Sequence, residues 1–474
     1  MKGRIVVYTL TGCPHCKRAK AKLKELGLEY SEVDVSIYKD RRDEMIERTG
    51  VHTLPQIFFN EVFVGGNSEF QSLSEDELNN LIEKVKNEPS PSNAPQPIPE
   101  SQKISSSTHL KDMPNEEYSE LIPKIRASQV VKSNQRKLIH SFGKSFTGEG
   151  LVQYLVSNED MSRDKAIEVG KYFVDNLIVF SVHPEKFLPF ENNSINLYRF
   201  IEDSESKALN AKKPSYKKFY SPSAVGLMVR NSILHLYDEF LSEDGLSVDY
   251  DGIKQSEKFE EFVNITALLQ RVNSKTMTRE EKLSFFINIY NALVIHSNII
   301  NGFPKGQVQR YKFFNNTKYI IGAIDYSLQD IENGVLRANR KGVGQLTRPF
   351  GKSDPRLEVA LENHEPFIHF ALVCGAKSCP AIKTYTSHFV MRELKIAAAG
   401  FLDAEENVFI DGNNVKLSMI FKWYAPDFGK DEAELLQFIS THMTNEDRKE
   451  QIKSLVEKKS FKVSYFPYNW STNK

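Results

Sequence analysis

The four cysteines of this 474-residue chain fall in two close pairs, Cys13 with Cys16 and Cys374 with Cys379. The first pair lies in Thr11-Gly12-Cys13-Pro14-His15-Cys16, between an apolar run from Ile5 to Leu10 and a helix-forming segment from Lys17 to Leu26. A cysteine at the first turn of a helix faces unpaired N–H groups and the positive end of the dipole, and both favour thiolate over thiol. Two intervening residues bring a second sulfur within bonding reach, so it can resolve a mixed disulfide formed on the first. Pro14 suits the first helical turn. The expected chemistry is thiol–disulfide exchange, with Cys13 attacking and Cys16 resolving. Half a zinc site shares this spacing, but no second pair lies in the segment, so no metal is expected.

The second pair flanks Gly375-Ala376-Lys377-Ser378. His369 to Cys374 reads as a buried strand, the next four residues as a turn, and Cys379-Pro380 as a helix start. A cysteine so placed can have a lowered pKa. With His369, His364 or His296 as base and Asn288 or Asn291 as orienter, the residues fit a Cys–His–Asn hydrolase. A Cys-x4-Cys metal or disulfide pair is a second reading. Two buried cysteines acting as small hydrophobes are a third, and the preferred one. Asn288 and Asn291 share a helix face, with Asn298 near it and His296 about 80° round. In a stretch as apolar as Phe285 to Ile300 they must be hydrogen-bonded, and pinning of neighbouring loops is expected ahead of lining a site. That stretch is also shorter than the ~20 residues of a membrane span.

The elements that position Cys13 follow in the order βαβαββα. After the helix come a strand (30–35), a helix (39–48), a hairpin (57–59 and 62–64) and a helix from Ser74, whose spacing to Glu77 fits a capping box. Thr53-Leu54-Pro55 resembles the Thr-Val-Pro element of glutaredoxins, where a cis proline lies beside the active sulfur. Gly65-Gly66-Asn67-Ser68-Glu69 resembles their Gly-Gly element. The resemblance implies a thioredoxin-like α/β fold and glutathione as co-substrate. It implies glutathione binding by Thr53, Leu54, Pro55, Gly65, Gly66, Asn67 and Ser68, with Ser68 capping the γ-glutamyl carboxylate. Partners would be glutathionylated or disulfide-containing proteins. Many glutaredoxins carry Lys where this chain has Leu10, and Arg41 or Arg42 would supply the missing charge.

The chain is too long for one core, and about three domains are expected. Residues 1–87 form the redox module. Residues 88–112, rich in Pro and Ser, read as a linker with polyproline II stiffening. Residues 113–203 resemble a DEP domain, a mainly α, winged-helix-like fold of signalling proteins. The resemblance runs through Leu121 to Arg126, Phe146 to Leu155, Ser162 to Ala166 and Leu197 to Phe200, with Thr147 and Ser162 as N-caps. It implies binding without catalysis. The basic set Lys124, Arg126, Lys132, Arg136, Lys137 and Lys144 would meet an acidic protein or an anionic membrane surface if it shares a face; otherwise it is solvated. Residues 204–219 read as a second linker. Residues 220–474 resemble domain of unknown function 547, through Leu283 to Leu293, Tyr326 to Glu332, Phe370 to Pro380, Lys422-Trp423-Tyr424 and Asn469-Trp470-Ser471. This last domain is expected to be α+β. Asn333 stands where relatives often have His, which weakens a hydrolase there.

The 62 basic side chains balance 62 acidic ones, so no overall field draws the chain to nucleic acid, and no nucleic-acid partner is expected. Sparse cysteines, with no leader ahead of the first strand, point to a reducing compartment and a cytoplasmic protein. The function expected is a glutathione-coupled disulfide oxidoreductase module fused to signalling and binding domains. The alternative is a redox-sensing intracellular signalling scaffold without turnover.

Overall fold

The computed structural model describes residues 1–35, 37–38, 40–99, 117–136, 140–182, 188–211, 220–243, 247–373 and 385–471. The first module runs β1 (Ile5–Thr9), α1 (Pro14–Glu25), β2 (Ser31–Asp34), α2 (Asp40–Thr49), β3 (Gln56–Phe59), β4 (Val62–Gly65), α3 (Asn67–Ser72) and α4 (Glu75–Asn87). Its sheet has the order β2-β1-β3-β4, with β1 parallel to β2 and antiparallel to β3. Alternate residues of a strand face opposite sides of the sheet. Ile5 and Val7 accordingly pack with Ala19, Leu23, Phe70 and Val85, while Val6 and Tyr8 pack with Val33, Met45 and Phe58. Both faces of β1 are covered, and this thioredoxin-like core holds the β1–α1 turn rigidly. The capping box at α4 forms as expected between Ser74 and Glu77. The helix α3 was not anticipated. It starts at Asn67, where the Gly-Gly pair conceals any helical signal, and the Glu69 carboxylate accepts from the Gly66 N–H at 2.9 Å.

The expected linker 88–112 is corrected in its described part. Residues 88–99 dock on the first module: Ala94 is fully buried and Ile98 joins Val6, Tyr8 and Met45. The segment turns at Pro91–Ala94, where the Ala94 N–H donates to the Pro91 carbonyl at 3.1 Å, and other carbonyls accept from α2. Arg48 donates to the Asn93 carbonyl at 2.6 Å, and Arg41 donates to that of Gln96.

The middle module carries α5 (Leu121–Ala127), β5 (Lys132–Arg136), β6 (His140–Thr147), α6 (Gly148–Asn158), α7 (Arg163–Asp175), β7 (Val179–Ser181) and β8 (Leu197–Phe200). The mainly α expectation is corrected here, since four strands pair in the order β5-β6-β8-β7. The hairpin β5–β6 was missed because it is polar along most of its length and shows no alternating apolar pattern. Thr147 and Ser162 do cap α6 and α7, accepting from the N–H groups of Gly150 and Lys165. The basic set is partly neutralised within the module: Lys124 pairs with Glu159, and Arg126 and Lys144 both pair with Asp203. Lys137 lies outside the described residues.

In the third module one apolar core extends from Val225 to Ile452. It contains α8 (Pro222–Glu239), α9 (Arg279–Asn301), the hairpin β9 (Lys318–Ile321) and β10 (Ile324–Ser327), and α10 (Val390–Leu402). A three-stranded sheet of β11 (Val408–Asp411), β12 (Asn414–Leu417) and β13 (Lys462–Tyr465) closes the chain. The helix α9 has 23 residues, longer than the apolar stretch suggested, because a Thr278–Glu281 capping box starts it before the apolar run. Its length and hydropathy would allow a membrane crossing, but 94% of its most apolar window is buried inside the module. A helix apolar all round is a core helix in such a setting. The second expected linker is also corrected in its described part. Asn210 is fully buried, its amide donates to the carbonyls of Thr266 and Ile320, and its oxygen accepts from the Ile320 N–H. One side chain thereby ties residues 204–211 to β9.

Candidate functional site

The chain leaves the buried strand β1 and turns at Thr11 and Gly12 into α1, with Cys13 as the N-cap residue and Pro14 in the first turn. The Cys13 sulfur accepts from the Cys16 N–H at 3.3 Å. Cys13 is partly exposed, whereas Cys16 is 1% exposed. Their environments separate the two thiols. A hydrogen bond from the Cys16 thiol lowers the Cys13 pKa, and the N–H groups of Cys16 and His15 add to it, against burial and the nearby Asp238 carboxylate. Burial, reinforced by Cys13, drives the Cys16 thiol well above its ordinary value. The accessible sulfur is therefore the more acidic of the two, with the less acidic thiol behind it.

The residues expected to hold glutathione fall in two adjoining segments, since a β-carbon on Gly66 would lie 3.4 Å from the Pro55 carbonyl oxygen. The Leu54–Pro55 peptide is cis. Pro55 is buried, Leu54 half-buried and Thr53 exposed. Gly65, Gly66 and Asn67 are half-buried and Ser68 is exposed, at the start of α3. Gly65 has φ of 118°, and a β-carbon there would lie 2.7 Å from that of Glu69, so only glycine fits. Gln56, which the sequence reading missed, is fully buried and donates to the carbonyls of Val51 and Thr53, fixing the loop ahead of Pro55. Its place before a run of three apolar strand residues was the available signal. The two arginines proposed to replace the lysine at Leu10 both lie on α2. Arg41 pairs with Glu44, and Arg42 is half-buried in the field of Glu393, Arg392 and Asp43.

The third module comes directly against this turn. The Gly12 N–H donates to the Asp238 carboxylate at 3.3 Å, and the Lys17 ammonium donates to the Asp238 carbonyl at 2.8 Å and to that of Leu241. Arg392 at the start of α10 pairs with Asp43 of α2. These pairs are more than 200 residues apart in sequence for α8, beyond any local pattern.

The second candidate set is arranged differently from its expectation. Cys374 and Cys379 lie outside the described residues. His369 is not on a strand. Glu365 caps a 3-10 turn, Pro366–Phe370, with Pro366 in its first position. Asn288 donates to the Tyr385 carbonyl at 2.7 Å. Asn291 donates to that of Ala371 and accepts from the Val373 N–H. Both asparagines pin backbone, as preferred, and neither orients a histidine. His296 contacts Tyr319, Phe259 and Phe262, in an apolar pocket that shares none of the partners of His369. His369 stacks on Tyr424 and bonds the fully buried Asp427 carboxylate at 2.9 Å. Arg337 grips the same carboxylate through two nitrogens, Arg340 adds a third contact, and His364 reaches the Asp427 carbonyl. Asn333 accepts from Arg337. Asp427 and Arg337 were missed, because an isolated Ala-Pro-Asp and an arginine after an apolar run carry no spacing signal. Among the described residues no cluster of three or more His, Cys, Asp or Glu could hold a metal.

A family model described as Glutaredoxin matches residues 5–64, and one described as "Protein of unknown function, DUF547" matches residues 274–402. Glutaredoxin 1 of Rickettsia conorii is 38% identical over 90 residues, which is 18% of this chain and 88% of the relative. Glutaredoxin 3 of Escherichia coli is 38% identical over 69 residues, 15% of this chain and 83% of the relative. A solved glutaredoxin from Brucella melitensis is 40% identical, covering 18% of this chain and 90% of its own, with a TM-score of 0.16.

Proposed function

Because the chain belongs to the glutaredoxin family through its first module, we propose that it catalyses glutathione-coupled thiol–disulfide exchange, with Cys13 as the attacking sulfur and Cys16 as the resolving one. The observation that carries this reading is the contrast between the two thiols: Cys13 is accessible with a lowered pKa, and Cys16 is buried with a raised one. The thiolate is the nucleophile in such exchange. On a glutathionylated protein, Cys13 thiolate attacks the glutathione sulfur, the Cys13–glutathione disulfide forms, and the protein thiolate leaves and takes a proton. A second glutathione thiolate then attacks the same glutathione sulfur, giving glutathione disulfide and free Cys13 thiolate. On a protein disulfide, Cys13 attacks one sulfur and displaces the other as a thiolate; Cys16, once deprotonated, attacks Cys13, releasing the reduced protein and leaving a Cys13–Cys16 disulfide, which two glutathione thiols reduce with formation of glutathione disulfide.

The glutathione site is read as Thr53, Leu54 and Pro55 on one side and Gly65, Gly66, Asn67 and Ser68 on the other. Exposure of Thr53 and Ser68 supports it. The middle module is read as a DEP-type binding domain. An acidic protein or an anionic membrane surface is its proposed partner, and pairing of Lys124, Arg126 and Lys144 with acids of the same module reduces the charge offered to either. A cytoplasmic setting, reducing and rich in glutathione, fits this dithiol.

The test is turnover of the full chain with glutathione and glutathione reductase. Cys13→Ser should abolish reduction of a glutathionylated substrate. Cys16→Ser should retain it while losing reduction of protein disulfides. Full activity of Cys13→Ser would exclude the assignment.

A further inference from the structure

Three residues of α8 spaced four apart, Arg230, Leu234 and Asp238, share one helix face. Leu234 lies 3.6 Å from where a β-carbon of Gly12 would stand, and Asp238 accepts from the Gly12 N–H. Arg230 is 5% exposed and lies in the field of Asp34, at the end of β2. The face thus follows the rim of the redox turn from β2 to the start of α1. Lys17, one turn into α1, is bonded to the carbonyls at the end of that face, and the Arg392–Asp43 pair fastens a second point.

From this we infer that α8 is a cis-acting cap on the redox turn, which leaves small glutathione mixed disulfides free access to Cys13 and slows protein-sized ones while the two modules stay docked. The inference deepens the reaction proposed above and rests on Cys13 being its attacking thiol. Two observations point to selection by size. Thr53 and Ser68 remain exposed with the cap in place, so a tripeptide has an open approach. Gly12 is occupied by α8 on its N–H and on its Cα side, so a folded protein presenting its own cysteine to Cys13 meets helix where it needs free surface. Asp238 also opposes the Cys13 thiolate, so the docked cap restrains the sulfur electrostatically as well as sterically.

The contact can be broken and restored by charge without touching the thiols. Arg392→Asp sets two carboxylates together at the second contact, and Asp43→Arg sets two guanidinium groups there. The double variant rebuilds the pair in reverse. Asp238→Lys, which removes the Gly12 acceptor and adds a like charge beside Lys17, opens the first contact independently. In the full chain, Cys13 is modified by iodoacetamide or by a polymer-linked maleimide, and its modification is followed by peptide mapping. Each single variant should raise the polymer-to-iodoacetamide rate ratio at Cys13 about fivefold, equivalent to ~1 kcal/mol in the docking equilibrium. The double variant should return it to the wild-type ratio. Arg392→Asp and Asp43→Arg, which lie away from the sulfur, should raise kcat/KM for glutathionylated albumin about fivefold and leave that for a glutathionylated short peptide within about twofold. A ratio unmoved in Arg392→Asp, Asp43→Arg and Asp238→Lys overturns the cap. So does a ratio that rises in the single variants and stays raised in the double. A chain that shows the predicted labelling ratios but no turnover with glutathione keeps the steric cap and loses the catalytic reading. One that turns over with flat ratios does the opposite.

Discussion

Acidification should unfold the third module by a route that His296 largely sets. Its imidazole is 2% exposed, its Nδ1 shares a hydrogen bond of 2.7 Å with the Tyr319 hydroxyl, and the rings of Phe259 and Phe262 contact it edge-on. Burial pushes its pKa down to about 3. In the unfolded chain the same group titrates near 6.5. Between those values the unfolded state binds the proton and the folded state does not, so stability falls as pH falls. At ~1.36 kcal/mol per pH unit, moving from pH 7 to pH 5 costs about 2 kcal/mol from this group alone. The assay is urea unfolding followed by tryptophan fluorescence. The chain has two tryptophans, Trp423 and Trp470, which pack against each other and against Tyr468 in the third module, so the signal reports that module. His296→Gln keeps a polar side chain of similar reach and removes the titration. It should be less stable than wild type at pH 7, and the gap should narrow by about 2 kcal/mol at pH 5. Acid sensitivity from His369, also held neutral by burial, remains in both proteins and cancels in the difference. A gap that stays constant between pH 7 and 5 would show that His296 is not kept neutral in the fold, and the argument from its burial would fall.

Two further outcomes follow from buried polar groups. Asp427→Ala leaves Arg337, which is 5% exposed, without its carboxylate, and breaking a buried pair in this way costs about 3–5 kcal/mol. Urea titration should therefore show a large drop in the tryptophan-reported midpoint, and a drop within error of zero would mean the Asp427 network bears no load. Asn210→Ala strands the Thr266 and Ile320 carbonyls and the Ile320 N–H, each costing roughly 1–3 kcal/mol if unsolvated. Hydrogen exchange at Ile320 should quicken at least tenfold, or ~1.4 kcal/mol, and unchanged protection would show that residues 204–211 are not anchored there.

What the sequence revealed about the fold was local. The strand–Cys-x-x-Cys–helix order, the capping pairs Ser74–Glu77 and Thr147–Gly150, and the face shared by Asn288 and Asn291 all depend on residues within a few positions of one another. Patterns of that range survive in a single sequence. The missed features depend on distant partners. Residues 88–99 and 204–211 look like linkers because their composition is polar or Pro-rich. They are ordered by Arg48, Arg41 and Asn210 hydrogen-bonding to or from backbone groups far along the chain. The polar hairpin β5–β6 is held by backbone pairing, which leaves no apolar alternation to read. Asp238, a carboxylate from another module that bears on Cys13, lies 226 positions from the Gly12 N–H it accepts from.

The same distinction bears on the third module's chemistry. The hydrolase arrangement required an asparagine to orient a histidine, and both candidates on α9 instead hold the backbone at Tyr385, Ala371 and Val373. The orienter that His369 does have is Asp427, whose carboxylate is shared with Arg337 and Arg340. An aspartate helps a general base by stabilising the imidazolium that forms when it takes a proton. Here two guanidinium groups already pair with that carboxylate, and burial lowers the pKa of His369 although the Asp427 hydrogen bond and charge act to raise it. A base so restrained resists protonation, and its ring is stacked on Tyr424 and against Phe428 inside the core. The geometry therefore places His369 in the packed framework of the third module, next to Phe370, whose ring packs on Phe401 of α10 and on Phe428.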